Sequence, residues 1–130
     1  MLPIHHMVDR APQPVAPFSH AVEADGWIFV TGQMPTDPQA PEAPLPVGIE
    51  AQTVRVMENL RLVLAGLDLG LENVTFVRVY LTEFDRDYQA MNETYRTFFP
   101  ADKLPGRTCV GVSGLAVGAL VEIDLIARRP

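Results

Sequence analysis

Residues 49 to 67 carry the pattern that most restricts the fold. Val54, Met57, Leu60, Leu64 and Leu67 recur at spacings of three and four, which places them on one stripe of a helix. Glu50, Arg55, Glu58 and Arg61 fall mostly off that stripe, and Gly66 and Gly70 are natural stops. Strand-like runs flank the helix. Trp27-Ile28-Phe29-Val30 is continuously apolar, and Val74 to Leu81 is rich in β-branched and aromatic residues. Asp25-Gly26, between His20–Glu23 and Trp27–Thr31, suits a tight hairpin turn. A second helix is predicted from about Asp85 to Phe99, with Tyr88, Met91, Tyr95 and Phe98 or Phe99 as core, ending at Pro100. Arg107 to Val112 and Leu120 to Ala127 read as two last strands, joined by a turn over Ser113 to Ala119.

The order β-β-α-β-α-β-β predicts an α+β fold, with two helices on one face of a four- or five-stranded mixed sheet. The unbroken run at Trp27 to Val30 predicts a strand buried on both faces, and Val74 to Leu81 is apolar on both sides too. A bare apolar sheet face is uncommon in a monomer, so the pattern predicts self-association through that face.

Nine of the twelve prolines lie at or before Pro46. Pro12, Pro14 and Pro17 hold the first segment extended, and Asp37 to Pro46 reads as a surface loop. At 130 residues, 1–130 reads as one domain, able to bury roughly two-thirds of its surface. The net charge of -6 argues against nucleic acid as a partner. No apolar stretch spans a bilayer and Met1 to Arg10 is no signal peptide, so the expected location is the cytoplasm. The single cysteine, Cys109, precludes an intrachain disulfide or a cysteine zinc cluster. His5, His6 and His20 match no metal-ligand spacing, so no metal is expected, and His5-His6 reads as exposed or unordered. The glycines form neither a phosphate loop nor a dinucleotide fingerprint, and no cofactor is expected.

Two residues invite chemistry. Arg107, at the start of a strand in Pro105-Gly106-Arg107-Thr108-Cys109-Val110, offers a planar fork for a carboxylate, or equally a partner in a surface ion pair. Glu122 interrupts the apolar strand Val121-Glu122-Ile123-Asp124-Leu125-Ile126. Alternation puts Glu122, Asp124 and Ile126 on one face and Val121, Ile123 and Leu125 on the other. Burial would raise the Glu122 pKa and suit it to proton transfer; the commoner arrangement has both acids facing solvent. Cys109 reads as a small buried residue rather than a nucleophile. Gly32 marks a strand end or a close approach to the backbone.

Taken together, these motifs resemble those of the RidA/YjgF family of enamine/imine deaminases, from about Pro12 to Arg129. The signature Pro105 to Val110, followed by Val121-Glu122-Ile123, carries most of the likeness. Thr31-Gly32-Gln33-Met34-Pro35, Ala51-Gln52-Thr53 with Glu58-Asn59-Leu60, and Asn92-Glu93-Thr94-Tyr95 with Phe98-Phe99 support it in the same order. The resemblance implies a chorismate-mutase-like fold, a homotrimer with active sites between subunits, and cofactor-free hydrolysis of 2-aminoacrylate-type enamines and imines to 2-keto acids and ammonia. It implies that Arg107 holds the substrate carboxylate and Glu122 handles water and protons. Gly32 and the Cys109 carbonyl would orient the reacting atoms, and Phe18, Thr31 and Asn92 would line or support the pocket.

Three departures bear on rate or preference. Ala16-Pro17-Phe18 stands where the family often has Gly-Pro-Tyr, so a hydroxyl is lost. Thr31 replaces a frequent Ser, and Gly106 a frequent Ala. The alternatives are a pathway-specific aminomuconate-type deaminase and a non-catalytic trimer that binds small carboxylates. A chorismate-mutase-type isomerase rests on fold analogy alone, and a diacid would want a second cation beside Arg107.

Overall fold

The computed structural model describes residues 1–130. Its strands are β1 (Ile4–His6), β2 (Ala21–Ala24), β3 (Trp27–Gln33), β4 (Val74–Leu81), β5 (Gly106–Gly111) and β6 (Val121–Arg128). Its helices are α1 (Ile49–Ala65) and α2 (Phe84–Tyr95), with short 3-10 turns at Leu71–Asn73, Arg96–Phe98 and Ala116–Gly118. The fold is α+β: one six-stranded mixed sheet in the order β1-β2-β3-β6-β4-β5, with both helices against one face. Only β4 and β5 run parallel, joined through α2; all other neighbours are antiparallel. No helix is long and apolar enough to cross a membrane.

The sixth strand is the first correction. His5 is exposed, as expected, but His5-His6 is not unordered: β1 pairs with β2, and His6 Nε2 lies 2.9 Å from Glu23 Oε1. Arg129 joins the same carboxylate at 2.7 and 3.0 Å, tying the end of β6 to β2. The β2–β3 turn is as the sequence predicts, with Asp25 and Gly26 both at positive φ (53° and 80°).

The helix-side core is built from two periodicities. α1 buries Ile49, Thr53, Val56, Met57, Leu60, Val63 and Leu64. Val54, expected on that stripe, faces solvent; Val56 and Val63 take its place, so the true stripe is turned about the helix axis. The β6 residues Val121, Ile123, Leu125 and Ala127 alternate into the same core. α2 ends at Tyr95, and its continuation to Phe98 tightens into a 3-10 turn. Tyr88, expected as core, is 38% exposed and stacks on Phe84 at 4.7 Å.

The other sheet face has no helix over it. β3 is therefore not buried on both sides: Ile28 and Val30 enter the core, while Trp27 and Phe29 point outward, 42% and 48% exposed. Register aligns Val22, Phe29, Ile126 and Phe76 in one apolar row across β2, β3, β6 and β4. Beside it, Arg78 grips Asp124 through two bonds of 2.8 and 3.0 Å, and the Tyr80 hydroxyl donates to Asp124 at 3.2 Å.

Two buried polar residues of α1 hold the loop after β3. Asn59 Nδ2 donates to the carbonyls of Met34 (2.9 Å) and Thr36 (2.8 Å). Gln52 Nε2 donates to Pro46 O, and its Oε1 accepts from the Leu120 amide, which anchors the start of β6. Such satisfied buried amides fix one chain path, because any other leaves a polar group unpaired.

Candidate functional site

Arg107 lies on β5, opposite Val77 of β4, which itself pairs with Leu125 of β6. Paired residues share a face, so Arg107 points toward the helices. Its guanidinium lies 4.9 Å from the centre of the Tyr95 ring and 6.0 Å from that of Tyr88. No carboxylate of its own chain pairs with it, in contrast to Arg61, Arg78, Arg86 and Arg129. Cation–π contact holds the group in place and leaves its donors free. Cys109, two residues on, shares this face. Burial pushes its thiol pKa up, with the nearby Arg107 opposing, so the group is a thiol and not a thiolate.

A pocket of about 390 Å³ opens beside Arg107, lined among others by Asn92, Tyr95, Phe99 and Leu104. Asn92 Oδ1 and the Tyr95 hydroxyl are buried there with no hydrogen-bond partner. Burial pushes the Tyr95 pKa up to about 12, against the pull of Arg107, so the hydroxyl keeps its proton and donates. An orphaned buried donor and acceptor beside an unpaired cation is a polar cradle for an anion with further polar atoms. Helical spacing predicts Tyr88 and Tyr95 as core residues, and Tyr95 is buried. That spacing also explains their role, since residues seven apart lie on one helix face.

Glu122 lies on the opposite face. It pairs with Tyr80 on the side away from the helices. Burial, with the Asp124 charge adding to it, raises its pKa above the ordinary carboxylate value. Neither sequence reading of Glu122 holds outright: it is half-buried, without an ion pair of its own. Asp124 is committed to Arg78 and Tyr80. The Glu122 carboxyl rests on Gly32, where a Cβ would collide with Oε2. Gly32 therefore serves a close approach inside β3, beside a register shift between Val30 and Gln33, rather than a turn. Thr31 donates its hydroxyl to Ser19 O at 2.6 Å, and its amide bonds to His20 O, which docks the Phe18 segment against β3. His20 is a structural histidine: Nδ1 accepts from the Val8 amide at 2.8 Å and Nε2 donates to Pro12 O at 2.7 Å.

The candidate residues thus form two groups. Asn92, Arg107 and Cys109 stand on the helix side with Tyr95. Thr31, Gly32 and Glu122 stand together at the open face, with the Ser19 end of the Phe18 segment bonded to Thr31. Arg107 and Glu122 of one chain do not share a pocket. Strand parity separates them, and parity is visible in the sequence only once the register of β4 between β5 and β6 is known. No cluster of three or more His, Cys, Asp or Glu side chains is placed to hold a metal.

A fold of this kind with these motifs has known relatives. A family model described as Endoribonuclease L-PSP matches residues 8–129, and the chain belongs to this family, the YjgF/RidA proteins. A RutC family protein of Saccharolobus solfataricus is 38% identical over 121 residues, covering 93% of this chain and 94% of that protein. The Rid-family protein YyfA of Yersinia pestis superposes with a TM-score of 0.91 at 28% identity, over 98% of this chain and 100% of that one. E. coli TdcF, solved with bound serine, superposes with a TM-score of 0.86 at 28% identity, over 96% and 99% of the two chains.

Proposed function

We propose that this protein hydrolyses 2-imino and 2-enamino acids to 2-keto acids and ammonia, in clefts formed between copies of a homotrimer. The observation that carries the reading is Arg107: a guanidinium fixed over Tyr95, free of any carboxylate, beside unpartnered Asn92 and Tyr95. A substrate carboxylate satisfies it through two charge-assisted bonds. The serine bound to TdcF shares a carboxylate, α-carbon and α-nitrogen with a 2-imino acid. The bare apolar row on the sheet supports pairing of copies, which brings Glu122 of one copy to Arg107 of the next.

In that cleft Glu122 takes a proton from water as the oxygen adds to the C=N carbon. It returns that proton to nitrogen to give the carbinolamine, then moves the carbinol hydroxyl proton to the amine, and ammonia leaves as the C=O bond forms. An enamine first takes a proton on its β-carbon to become the imine. A carboxyl with a raised pKa suits both directions of transfer. The imine is already electrophilic, so orientation and proton transfer suffice without a covalent intermediate. The Thr31 hydroxyl, its proton committed to Ser19, offers only lone pairs to the cleft, and Phe18 offers only its ring. An RNA substrate is disfavoured by the net charge of -6.

The test is ammonia release from imines generated in situ by an amino-acid oxidase, for wild type and Arg107→Ala. Wild type accelerates release, and the variant loses about a hundredfold or more, the worth of two charge-assisted bonds. No acceleration by wild type overturns the deaminase reading in favour of a carboxylate-binding trimer.

A further inference from the structure

We propose that the pocket beside Arg107 selects substrates with a second, distal carboxylate, and that Arg96 holds that group. The inference rests on the deaminase reading and specifies its substrate class: imines of short acidic amino acids, that is, 2-imino dicarboxylates. The sequence motifs place only Arg107 in the cleft, which points away from a diacid. The structure supplies another. Arg96 immediately follows α2 and lines the same pocket as Arg107.

Arg96, like Arg107, forms no ion pair in a chain with 16 acidic residues, while four other arginines do. Phe99, Leu104 and Pro105 add an apolar wall to the same pocket. A ligand matching that wall has an anionic group at each end and a short hydrocarbon span between. The pocket, at about 390 Å³, is of small-molecule size. A monocarboxylate engages Arg107 and leaves Arg96, an exposed residue of the same pocket, to solvent. The buried Tyr95 hydroxyl and Asn92 Oδ1 remain for the polar atoms at the α-carbon end. A simpler role for Arg96 is to complement the C-terminal end of α2. That role has no bearing on which imine is hydrolysed, and substrate preference separates the two.

The experiment compares kcat/KM for imines made in situ from glutamate and aspartate with those from alanine and leucine. It uses wild type, Arg96→Ala and Arg96→Lys, each checked for folding by its thermal melt. Wild type favours the diacid imines by about tenfold or more, as one added charge-assisted contact dictates. Arg96→Ala erases that preference, mainly through KM, and leaves the monoacid imines within about twofold; Arg96→Lys restores part of it. Equal loss on both classes, or no diacid preference in wild type, overturns the proposal. If wild type turns over no imine, the deaminase reading fails, and calorimetry with 2-oxoglutarate and 2-oxobutyrate decides the pocket's selectivity. Tighter binding of 2-oxoglutarate that is lost in Arg96→Ala upholds the assignment of Arg96, and equal or absent binding rejects it.

Discussion

The two faces of the sheet are both apolar, yet they are finished differently. Toward the helices, Val56, Met57, Leu60, Val63 and Leu64 close over Val77, Val79, Leu81 and Ile123, and all are fully buried. On the other side Val22, Phe29, Ile126 and Phe76 form a row of similar chemistry with nothing from the same chain over it. The first face is completed by helices of the same chain. In the proposed assembly the second is covered by another copy of the chain. The candidate site is divided along the same plane, with Arg107 on the covered side and Glu122 on the bare side. In the proposed assembly, a contact surface and half of a site coincide there.

The largest effect that separates the faces comes from Phe29→Asp. A charge in the bare row abolishes assembly and imine turnover together, while the single chain keeps its helix-side core. Light scattering after size exclusion reads the mass; an unchanged assembly breaks the comparison. Leu60→Ala is its counterpart. It costs about 2–5 kcal/mol in urea unfolding, the cost of a buried leucine, and leaves the assembled mass unchanged under native conditions.

Gly32→Ala sharpens the comparison at the site. The new methyl displaces the Glu122 carboxyl, with a stability cost of about 1–3 kcal/mol and a turnover loss larger than that implies. Equal turnover in this variant separates Glu122 from the chemistry.

The smallest effects are in pH, and they have opposite signs for two acids. Glu122 holds its proton more tightly folded than unfolded. Its contribution to stability is therefore present at low pH and is lost as pH rises through its raised pKa. Turnover rises over the same interval as the base forms, and Glu122→Gln removes that inflection. Glu23 is the reverse. Its bonds to Arg129, then His6, lower its pKa from 4.5 to about 2. Its contribution is present above pH 4.5 and fades as pH falls toward about 2. Glu23→Gln accordingly lowers the Tm at neutral pH by a few degrees at most, and the gap from wild type closes on acidification through that window.

Much of this was legible from local pattern. The Asp25-Gly26 turn, both helices and the alternation in β6 follow from propensity and period, and the motif around Arg107 pointed to the family. What escaped depends on partners distant in sequence. β1 has only three residues and no strand signal beyond its pairing with β2. Trp27 to Val30 reads as doubly buried because apolar character does not say which face a helix covers. Asn59 and Gln52 were visible only as motif letters, since their hydrogen bonds reach Met34, Thr36, Pro46 and Leu120. The separation of Arg107 from Glu122 needed the register of three strands. Arg96 carried no signal, because only the folded turn after α2 brings it to the Arg107 pocket.

The division of the site between copies is tested most directly by complementation. Arg107→Ala and Glu122→Gln are each prepared, confirmed inactive on imines, mixed in equal amounts, unfolded together and refolded. If each site takes Arg107 from one copy and Glu122 from another, random reassembly recovers about a quarter of wild-type turnover, because that share of sites draws both native residues. Refolded mixtures no more active than the separate variants contradict the account and place both residues of each working site in one chain.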